Sequence, residues 1–546
     1  MDRRSFLGRA AVLGAAATGV TPRRLPVAVP PEAPVTPQGP LPRFNLEEST
    51  VLGLQSEMEA GRLTAHDLVA QYLERIENLD RGGPALRSIL ELNPEALAIA
   101  DALDQERKAK GPRGPLHGIP VVLKDNIDTA DRMTTTAGSL ALEGSIAERD
   151  SQVAGRLRAA GAVLLAKANM SEWANIRSSR SSSGWSARGG QCANPYVLDR
   201  NPCGSSSGSA AAVSANFCTL AVGTETDGSI VCPASANGVV GLKPTVGLVS
   251  RAGIIPISQT QDTAGPLTRT VADAAILLGA MVAGDARDPA TRAASAHRHD
   301  DYAKFLEPGG LRGARIGVAR AKFFGYSDVA DRITEAALDL MKQEGAIVVD
   351  PADIPHAGTY DEPELEVLLY DLKADLNAYL AGLGPDARVR TLQDIIEFNQ
   401  QHHDREMRFF GQDLFIQAQA KGPLTSPAYR QAKAVCRRSS RTLGIDAVMR
   451  RLRLDAIVAP TGSPPWPTDP VNGDHFTGSS STPAAVAGYP SISLPAGFAF
   501  GLPVGISFIG RAWSEPLLLK LAYGYEQASL LRRPPRFLPT ADLVGR

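Results

Sequence analysis

The sequence predicts an α/β fold with a large mixed β-sheet, because short apolar runs alternate with capped, amphipathic segments along most of the chain. A hydrophobic content of 43% with 21% charged residues agrees with an ordinary globular protein of this kind. No internal repeat is visible. The predicted strands cover 121–123, 162–166, 315–318, 347–349, 456–459 and 491–494.

The predicted helices follow from capping residues and apolar spacing. Thr64 and Asp67 have the spacing of a capping box, in which each side chain bonds a backbone amide of the other residue. Pro94 after Asn93 predicts the first turn of a helix that runs towards Gly111. The other predicted helices cover 150–160, 209–214, 273–281, 331–343, much of 360–450, and a segment from Pro516.

The charge and cysteine content exclude several classes of protein. The net charge is −1 and no basic block is present, which argues against nucleic acid as a partner. The cysteines lack C-x-x-C spacing, so we expect neither a zinc site nor a disulfide framework, and whether any of them pair stays open. They are interpreted as small buried packing residues, at positions 192, 203, 218, 232 and 436.

The N-terminal residues predict export. Arg3 and Arg4 precede an apolar stretch at 10–20, the pattern of a twin-arginine signal over 1–30. This stretch is too short for a stable membrane span, so we expect cleavage and a periplasmic or secreted protein with no integral span. Residues 31–45 are Pro-rich and predicted to be disordered, and 46–535 form the folded domain.

One stretch, 201–245, carries two Gly/Ser clusters, G-S-S-S-G-S at 204–209 and D-G-S-I at 227–230. Glycine lets backbone amides approach a ligand closely, and serine supplies a hydroxyl for nucleophilic attack or proton relay. Lys124 follows the strand at 121–123, at the end of a strand where ligand sites collect in α/β sheets. Apolar flanks around 220–222 and 239–242 indicate that the stretch is buried and is not a linker.

Two chemical interpretations of the serine clusters follow. Residues 204–208 match G-x-S-x-G, the nucleophile elbow of α/β-hydrolases, which would make Ser206 the nucleophile of an esterase. The other interpretation needs no histidine. A buried lysine whose pKa falls by ~3–5 units can act as a base, with one serine relaying protons to a second, nucleophilic serine.

Several motifs in order resemble the amidase signature family. They are GIPVVLKDN around Lys124, the two serine clusters, GLKPT at 241–245, KANMSEWAN at 167–175, DTAGPLTRTVADAA at 262–275, LDAIVAPT at 454–461 and TPAAVAGYPSISLPAG at 482–497. Ser205 and Ser229 are 24 residues apart, as in that family. The similarity covers about 46–530 and is weakest over 300–450.

This resemblance implies a single large domain over 46–535, with a twisted mixed sheet covered by helices on both faces. It implies that Lys124 is the base, that Ser205 is the bridging serine with a cis peptide, and that Ser229 is the nucleophile. The implied oxyanion hole consists of the backbone amides of Thr226, Asp227 and Gly228.

The resemblance also implies hydrolysis of a carboxamide to a carboxylate and ammonia through an acyl-serine, and it implies no cofactor. Cys203, Asp227 and the SEWAN motif are similar to the bacterial peptide amidases, which remove the C-terminal amide of peptides. We therefore expect a small-molecule or peptide amide as substrate, in a pocket closed beyond the leaving NH₂. The loop 182–186 is predicted to form one wall and 300–450 the rim; the predicted substrate-binding residues are Gly184, Trp185 and Ser186.

Alternatives to the amidase hypothesis remain at this point. An amidotransferase component that acts on glutamyl-tRNA has the same motifs, although the predicted export and the lack of a basic patch argue against it. An α/β-hydrolase-type esterase would use Ser206 as its nucleophile. A binding protein that keeps the fold without activity is disfavoured by the complete set of Lys124, Ser205 and Ser229.

Overall fold

A computed structural model describes residues 45–543. The predicted export signal and nearly all of the Pro-rich lead-in lie outside these residues. The strands are β1 Ile89–Leu92, β2 Pro120–Lys124, β3 Val163–Ala168, β4 Trp185–Ser186, β5 Gly190–Gln191, β6 Leu220–Glu225, β7 Val240–Lys243, β8 Thr263–Thr268, β9 Arg315–Val318, β10 Ile347–Val349, β11 Ala456–Pro460, β12 Ser491–Ala499 and β13 Leu502–Ile509.

All strands except the β4–β5 hairpin join one 11-stranded mixed sheet in the described part of the chain, in the order β1-β3-β2-β6-β8-β7-β12-β13-β11-β9-β10. Strand β2 pairs in parallel with β3 and β6, and β9 pairs in parallel with β10 and β11. The remaining pairs are antiparallel, among them the long hairpin of β12 and β13. The predicted α/β class with a large mixed sheet is confirmed.

Helices flank this sheet. They are α1 Val51–Glu59, α2 Ala65–Ile76, α3 Ala96–Lys110, α4 Gln152–Ala159, α5 Ser207–Ser214, α6 Val231–Ala236, α7 Val271–Met281, α8 Asp328–Gln343, α9 Asp361–Ala381, α10 Leu392–Gln401, α11 His403–Glu406, α12 Asp413–Gln419, α13 Pro427–Arg437, α14 Asp446–Leu452, α15 Thr482–Ala487 and α16 Glu515–Ser529. Short turns of other helix types lie between them.

The predicted elements form where the sequence places them, with small shifts at their ends. The capping box of Thr64 and Asp67 opens α2 with both of its bonds made. Helix α3 begins after Glu95, two residues later than the Asn93–Pro94 pair indicates, because the Asn93 side chain accepts from the Glu95 amide and closes a turn first. The unit β9–α8–β10 has the predicted order and parallel pairing.

The region 360–450 is mainly helical, as predicted, and packs through its own hydrophobic cluster. Leucines of α9 meet α10 and α12 there, together with Trp173 and Ile257 from loops beside the sheet. Within residues 45–543, no helix is long and apolar enough to cross a membrane. No group of three or more potential metal-ligating side chains is found over that same range.

Candidate active site

Lys124 ends β2 and is completely buried. Its Nζ forms hydrogen bonds of 2.7 Å with Ser205 Oγ and 2.8 Å with Thr224 Oγ1, and a third of 3.2 Å with the Thr224 carbonyl. Thr224 belongs to β6, the parallel neighbour of β2, so the sheet itself sets the position of this lysine. The predicted meeting of Lys124 and Ser205 is observed.

Burial lowers the pKa of Lys124 to about 7, and the charges of Asp262 and Glu225 oppose this shift only in part. A substantial fraction of the amine is therefore neutral near pH 7. A neutral amine has two N–H groups and one lone pair. If the two N–H groups bond the two Thr224 oxygens, the lone pair is left to accept the Ser205 hydroxyl proton.

Ser205 follows a cis peptide bond from Gly204, as the resemblance implies. A Cβ on Gly204 would collide with Ser171 Oγ, so only glycine fits there. The next residue, Ser206, is fully buried, and its hydroxyl bonds the Thr224 carbonyl at 3.0 Å and the Thr224 amide at 3.2 Å. These hydrogen bonds hold the start of α5 against β6.

Ser229 lies in the turn between β6 and α6. The Ser206 amide donates to the Ser229 carbonyl at 3.2 Å, which brings the two serine clusters side by side. The Ser229 hydroxyl has no hydrogen-bond partner among residues 45–543 and lines a cavity of about 470 Å³. A hydroxyl that is free and accessible to a ligand suits a nucleophile.

The backbone amides before Ser229 are also unengaged. None of the amides of Thr226, Asp227 and Gly228 donates to an acceptor in the described part of the chain. Gly228 has φ +79°, a conformation that glycine adopts at little cost. The Glu225 carboxylate accepts from the amides of residues 230 and 231 at 2.7 and 3.0 Å and so fixes the end of this turn.

Two cysteines correct the sequence interpretation. Cys203 and Cys232 form a disulfide across 29 residues, whereas the sequence interpretation has them as small packing residues and leaves open whether any cysteines pair. Both line the cavity, one just before Gly204 and the other three residues after Ser229. The bridge therefore joins the two serine segments. The other three cysteines are free and buried, as expected.

The predicted wall of Gly184, Trp185 and Ser186 is also corrected, since none of these residues lines the cavity. Trp185 packs edge-on against Phe409 and Phe410, with ring centroids 5.6 and 5.1 Å away, because a large apolar ring is better buried than exposed. The Gly184 amide bonds Ser171, and the Ser186 hydroxyl bonds Asn169 at 2.8 Å. The nearby residues that line the cavity are Ala174, Asn175, Ile176, Ser178 and Ser179.

The region 300–450, which we expect to form the rim of the substrate pocket, also lines the cavity. Phe324 and Tyr326 line it before α8, and Glu364, Leu365 and Leu368 line it from α9. The sequence offered no motif for these residues. The periodicity of apolar residues predicts the helix α9, but it does not show which face of that helix contacts a ligand.

Two carboxyl groups of the cavity have raised pKa values. Burial raises the pKa of Asp227 to about 6, against hydrogen bonds from Ser481 and Thr482. Burial, and next the charge of Asp227, raise the pKa of Glu364 well above its usual value. A carboxyl group that stays protonated near neutral pH, as the raised pKa of Glu364 indicates, can donate to a substrate carbonyl, whereas Asp227 is mostly ionised at pH 7.

Comparisons with known proteins place this chain in a class. The family model described as Amidase matches residues 67–519. The solved native peptide amidase of Stenotrophomonas maltophilia is 51% identical, with a TM-score of 0.87, over 91% of this chain and 100% of that one. A probable amidase of Arabidopsis thaliana is 43% identical over 91% of this chain and 93% of its own length.

A glutamyl-tRNA(Gln) amidotransferase subunit of Halorhodospira halophila is 35% identical, over 89% of this chain and 98% of its own length. The fold, with the cavity beside Ser229, and these similarities define a hydrolase that acts on amide C–N bonds. The chain belongs to the amidase signature family.

Proposed function

We propose that the enzyme hydrolyses the C-terminal carboxamide of peptides to a carboxylate and ammonia, with Lys124, Ser205 and Ser229 as its catalytic residues. The observation that carries this proposal is the 2.7 Å contact of a buried Lys124 with Ser205, beside the unengaged hydroxyl of Ser229. The 51% identity to a peptide amidase supports the choice of substrate.

In the acylation step, Ser229 Oγ attacks the amide carbon while its proton passes to Ser205 and the Ser205 proton passes to Lys124. The carbonyl oxygen becomes an oxyanion that the amides of Thr226, Asp227 and Gly228 receive. The C–N bond then breaks. The leaving nitrogen takes a proton from Ser205, which is restored by Lys124, and ammonia departs.

Deacylation repeats the relay with water. The water oxygen bonds the acyl carbon, and its proton travels through Ser205 to Lys124. The ester bond to Ser229 then breaks, and the same proton returns through Ser205 to the Ser229 oxygen. Lysine acts as base and acid in turn, which requires a pKa near the working pH, and Lys124 meets this requirement.

The cavity supports a peptide acyl group with little side-chain selectivity. Its volume of about 470 Å³ lies in the usual range of ligand pockets, and Phe324, Leu365 and Leu368 give it apolar walls. An apolar pocket discriminates by only ~1–3 kcal/mol per methylene, so the preference among side chains should be broad.

The alternatives are weaker on specific observations. The Ser206 hydroxyl is hydrogen-bonded to the Thr224 carbonyl and amide and is therefore not free to attack a substrate, which disfavours the esterase hypothesis. The similarity to the tRNA-dependent amidotransferase is lower in identity, and the net charge of −1 offers no general attraction for tRNA. A silent binding protein would have no need of the depressed Lys124 pKa.

A substrate panel tests the proposal. Ammonia release is measured from peptide amides, free amino-acid amides, aliphatic amides and aryl-amides, and from glutamine in the presence of glutamyl-tRNA. We expect peptide amides to have the highest kcat/KM, with an acid limb near pH 7 because Lys124 must be neutral to accept a proton. Preference for aliphatic or aryl-amides would make the enzyme a general amidase. If ammonia is released only from glutamine in the presence of glutamyl-tRNA and from no other substrate of the panel, the amidotransferase hypothesis is favoured.

We also propose export by the twin-arginine route, supported by Arg3, Arg4 and the apolar stretch that follows them. Replacing both arginines by lysine should keep the protein in the cytoplasm, because the export receptor recognises the arginine pair. Normal amounts of the double-lysine protein in the periplasm would show the signal prediction to be wrong.

A further inference from the structure

We propose that Glu364 is a specificity-determining residue, which donates a hydrogen bond to the acyl carbonyl on the α-nitrogen of the substrate's last residue. This contact favours amides that carry such a second carbonyl, as every peptide amide does, over amides that lack it. The inference rests on the proposed function and names the side chain that gives the enzyme its preference among acyl groups.

Glu364 lies on the cavity face of α9, next to apolar side chains. It lines the cavity of about 470 Å³ together with Leu365 and Leu368, and 7% of the residue is exposed. Its Oε1 accepts from Gln261 Nε2 at 2.8 Å, which is the only hydrogen bond of this carboxyl group in the described part of the chain. The other oxygen, Oε2, retains accessible surface, so a ligand in the cavity can reach it.

Gln261 holds this carboxyl group beside the proposed oxyanion hole. The Nε2 atom that bonds Glu364 also donates to the Thr226 carbonyl, at 3.2 Å. Both N–H groups of the Gln261 side chain are used in this way. Glu364 is thus separated by one side-chain amide from the loop whose backbone amides would receive the scissile carbonyl. A substrate group close to that carbonyl can therefore meet Oε2.

The carboxyl groups of Asp227 and Glu364 have unequal sets of donors. Asp227 Oδ2 accepts from Thr482 Oγ1 at 2.7 Å, and Ser481 also donates to this carboxylate, whereas Glu364 has Gln261 alone. Two neighbouring carboxyl groups in an apolar site do not readily ionise together, and hydrogen bonds favour the charged form of the group that receives more of them. Glu364 therefore keeps a proton, in agreement with its raised pKa. Because an amide nitrogen only donates, Oε1 must be the acceptor and the proton lies on Oε2.

The O–H group of Glu364 needs an acceptor from the substrate. The scissile carbonyl is not available, because the backbone amides of 226–228 are proposed to receive it. The next acceptor along a peptide amide is the acyl carbonyl on the α-nitrogen of the last residue. A free amino-acid amide has an ammonium group at that place, which only donates, and a simple aliphatic amide has no polar group there. A site that offers a buried donor discriminates against ligands that leave it unpaired.

The first experiment compares three primary amides with the same aromatic side chain. They are N-acetylphenylalanine amide, phenylalanine amide and 3-phenylpropanamide, and kcat/KM is measured from ammonia release. We expect the N-acetyl compound to exceed each of the other two at least about tenfold, because it alone pairs the Glu364 donor. A preference for phenylalanine amide would mean that an ionised Glu364 binds the ammonium group, and similar values for all three would mean that no contact is made; either result overturns the proposal.

The second experiment assigns the preference to Glu364. Glu364→Gln keeps an acceptor for Gln261 and offers an N–H group to the substrate, so the ratio of kcat/KM for the N-acetyl compound to that for 3-phenylpropanamide should stay within about threefold of wild type. Glu364→Met has no donor, and this ratio should fall about tenfold. Glu364→Leu repeats the test if Glu364→Met does not fold. Glu362→Met, at an exposed position of the same helix, should leave the ratio unchanged. Equal ratios in the glutamine and methionine variants would overturn the proposal.

Failure of the role of Glu364 and failure of the proposed function are distinguishable. If the amides are hydrolysed but the ratio does not depend on the donor at position 364, only the role of Glu364 fails. If no amide is hydrolysed and a fluorophosphonate does not label Ser229, the proposed function itself fails.

Discussion

The serine segment 201–245 and the helical region 360–450 face each other across one cavity, but they are built differently. Nearly every side chain of the first is buried, and its hydroxyls are mostly bonded to backbone atoms. The second consists of amphipathic helices with exposed outer faces and a separate hydrophobic cluster. One region therefore holds the proposed reacting atoms in fixed positions, and the other shapes the space proposed for the substrate.

This difference agrees with the sequence analysis, in which the two serine clusters and GLKPT lie in the serine segment and no family motif lies within 360–450. A change in the serine segment disturbs the sheet, the turn and the proposed relay together, because Thr224 alone contacts Lys124, Asn126 and Ser206. A change on the cavity face of α9 alters one wall. The predictions below test this division of roles.

The largest effect is expected for Lys124→Met, which removes the base and leaves a similar apolar volume. The kcat for ammonia release should fall by about 10⁴-fold or more, since residues of a catalytic relay act as a unit. Lys342→Met, at an exposed position on α8, serves as the control and should keep wild-type activity. Retention of more than about a hundredth of the activity by Lys124→Met would mean that another group is the base.

The next effect concerns a buried ion network that joins the loop after β3 to the helical region 360–450. Arg177 contacts Glu172 and the Glu406 carbonyl, and all three side chains are fully buried. Arg177→Leu leaves two buried carboxyl groups without their cation and should lower the free energy of unfolding by about 3–5 kcal/mol in urea titrations. Arg180→Leu, at an exposed neighbour, is the control. A loss below about 1 kcal/mol would show that the network contributes little.

A similar or slightly smaller effect is expected for the disulfide within the serine segment. A bridge across 29 residues should contribute about 3–4 kcal/mol through the unfolded state. A variant with alanine at both Cys203 and Cys232 should lose that amount in urea titrations. A reductant should destabilise the wild type and leave the variant unchanged; equal responses to the reductant would argue that the pair is not bridged.

The smallest effect is expected at the cavity wall. Leu368→Ala removes an apolar contact from α9 and should raise KM for peptide amides about tenfold while kcat is kept, the signature of lost uniform binding. Glu362→Ala, exposed on the same helix, should change neither constant. A fall in kcat with unchanged KM would place Leu368 in the catalytic machinery and break the division of roles.

Much of the fold was predictable because its signals are local. The capping box at Thr64 and the apolar runs of β2 and β9 depend on neighbours in sequence, and they formed as expected. The contact of Lys124 with Ser205 was predictable only because several family motifs occur in order. From composition alone, Lys124 would be predicted to be a charged residue on the surface.

What the sequence could not predict depends on distances between remote residues. The Cys203–Cys232 bridge joins residues that only the folded chain brings together, and their spacing of 29 residues does not report that contact. The sequence analysis predicts Trp185 in the wall of the pocket, but its ring is buried against Phe410 instead. Asn126 lies in the motif GIPVVLKDN, but only the structure shows that its side-chain oxygen has no hydrogen-bond partner among residues 45–543.

The central claim is that Ser229 is the nucleophile, and covalent labelling tests it most directly. The wild type, Ser229→Ala and Ser206→Ala are treated with a fluorophosphonate, and the modified residue is located by peptide mass mapping after folding has been checked. We predict labelling at Ser229 in the wild type and in Ser206→Ala, and none in Ser229→Ala, together with loss of amide hydrolysis in that variant. Labelling of Ser229→Ala at Ser206 would contradict this account and support the α/β-hydrolase hypothesis.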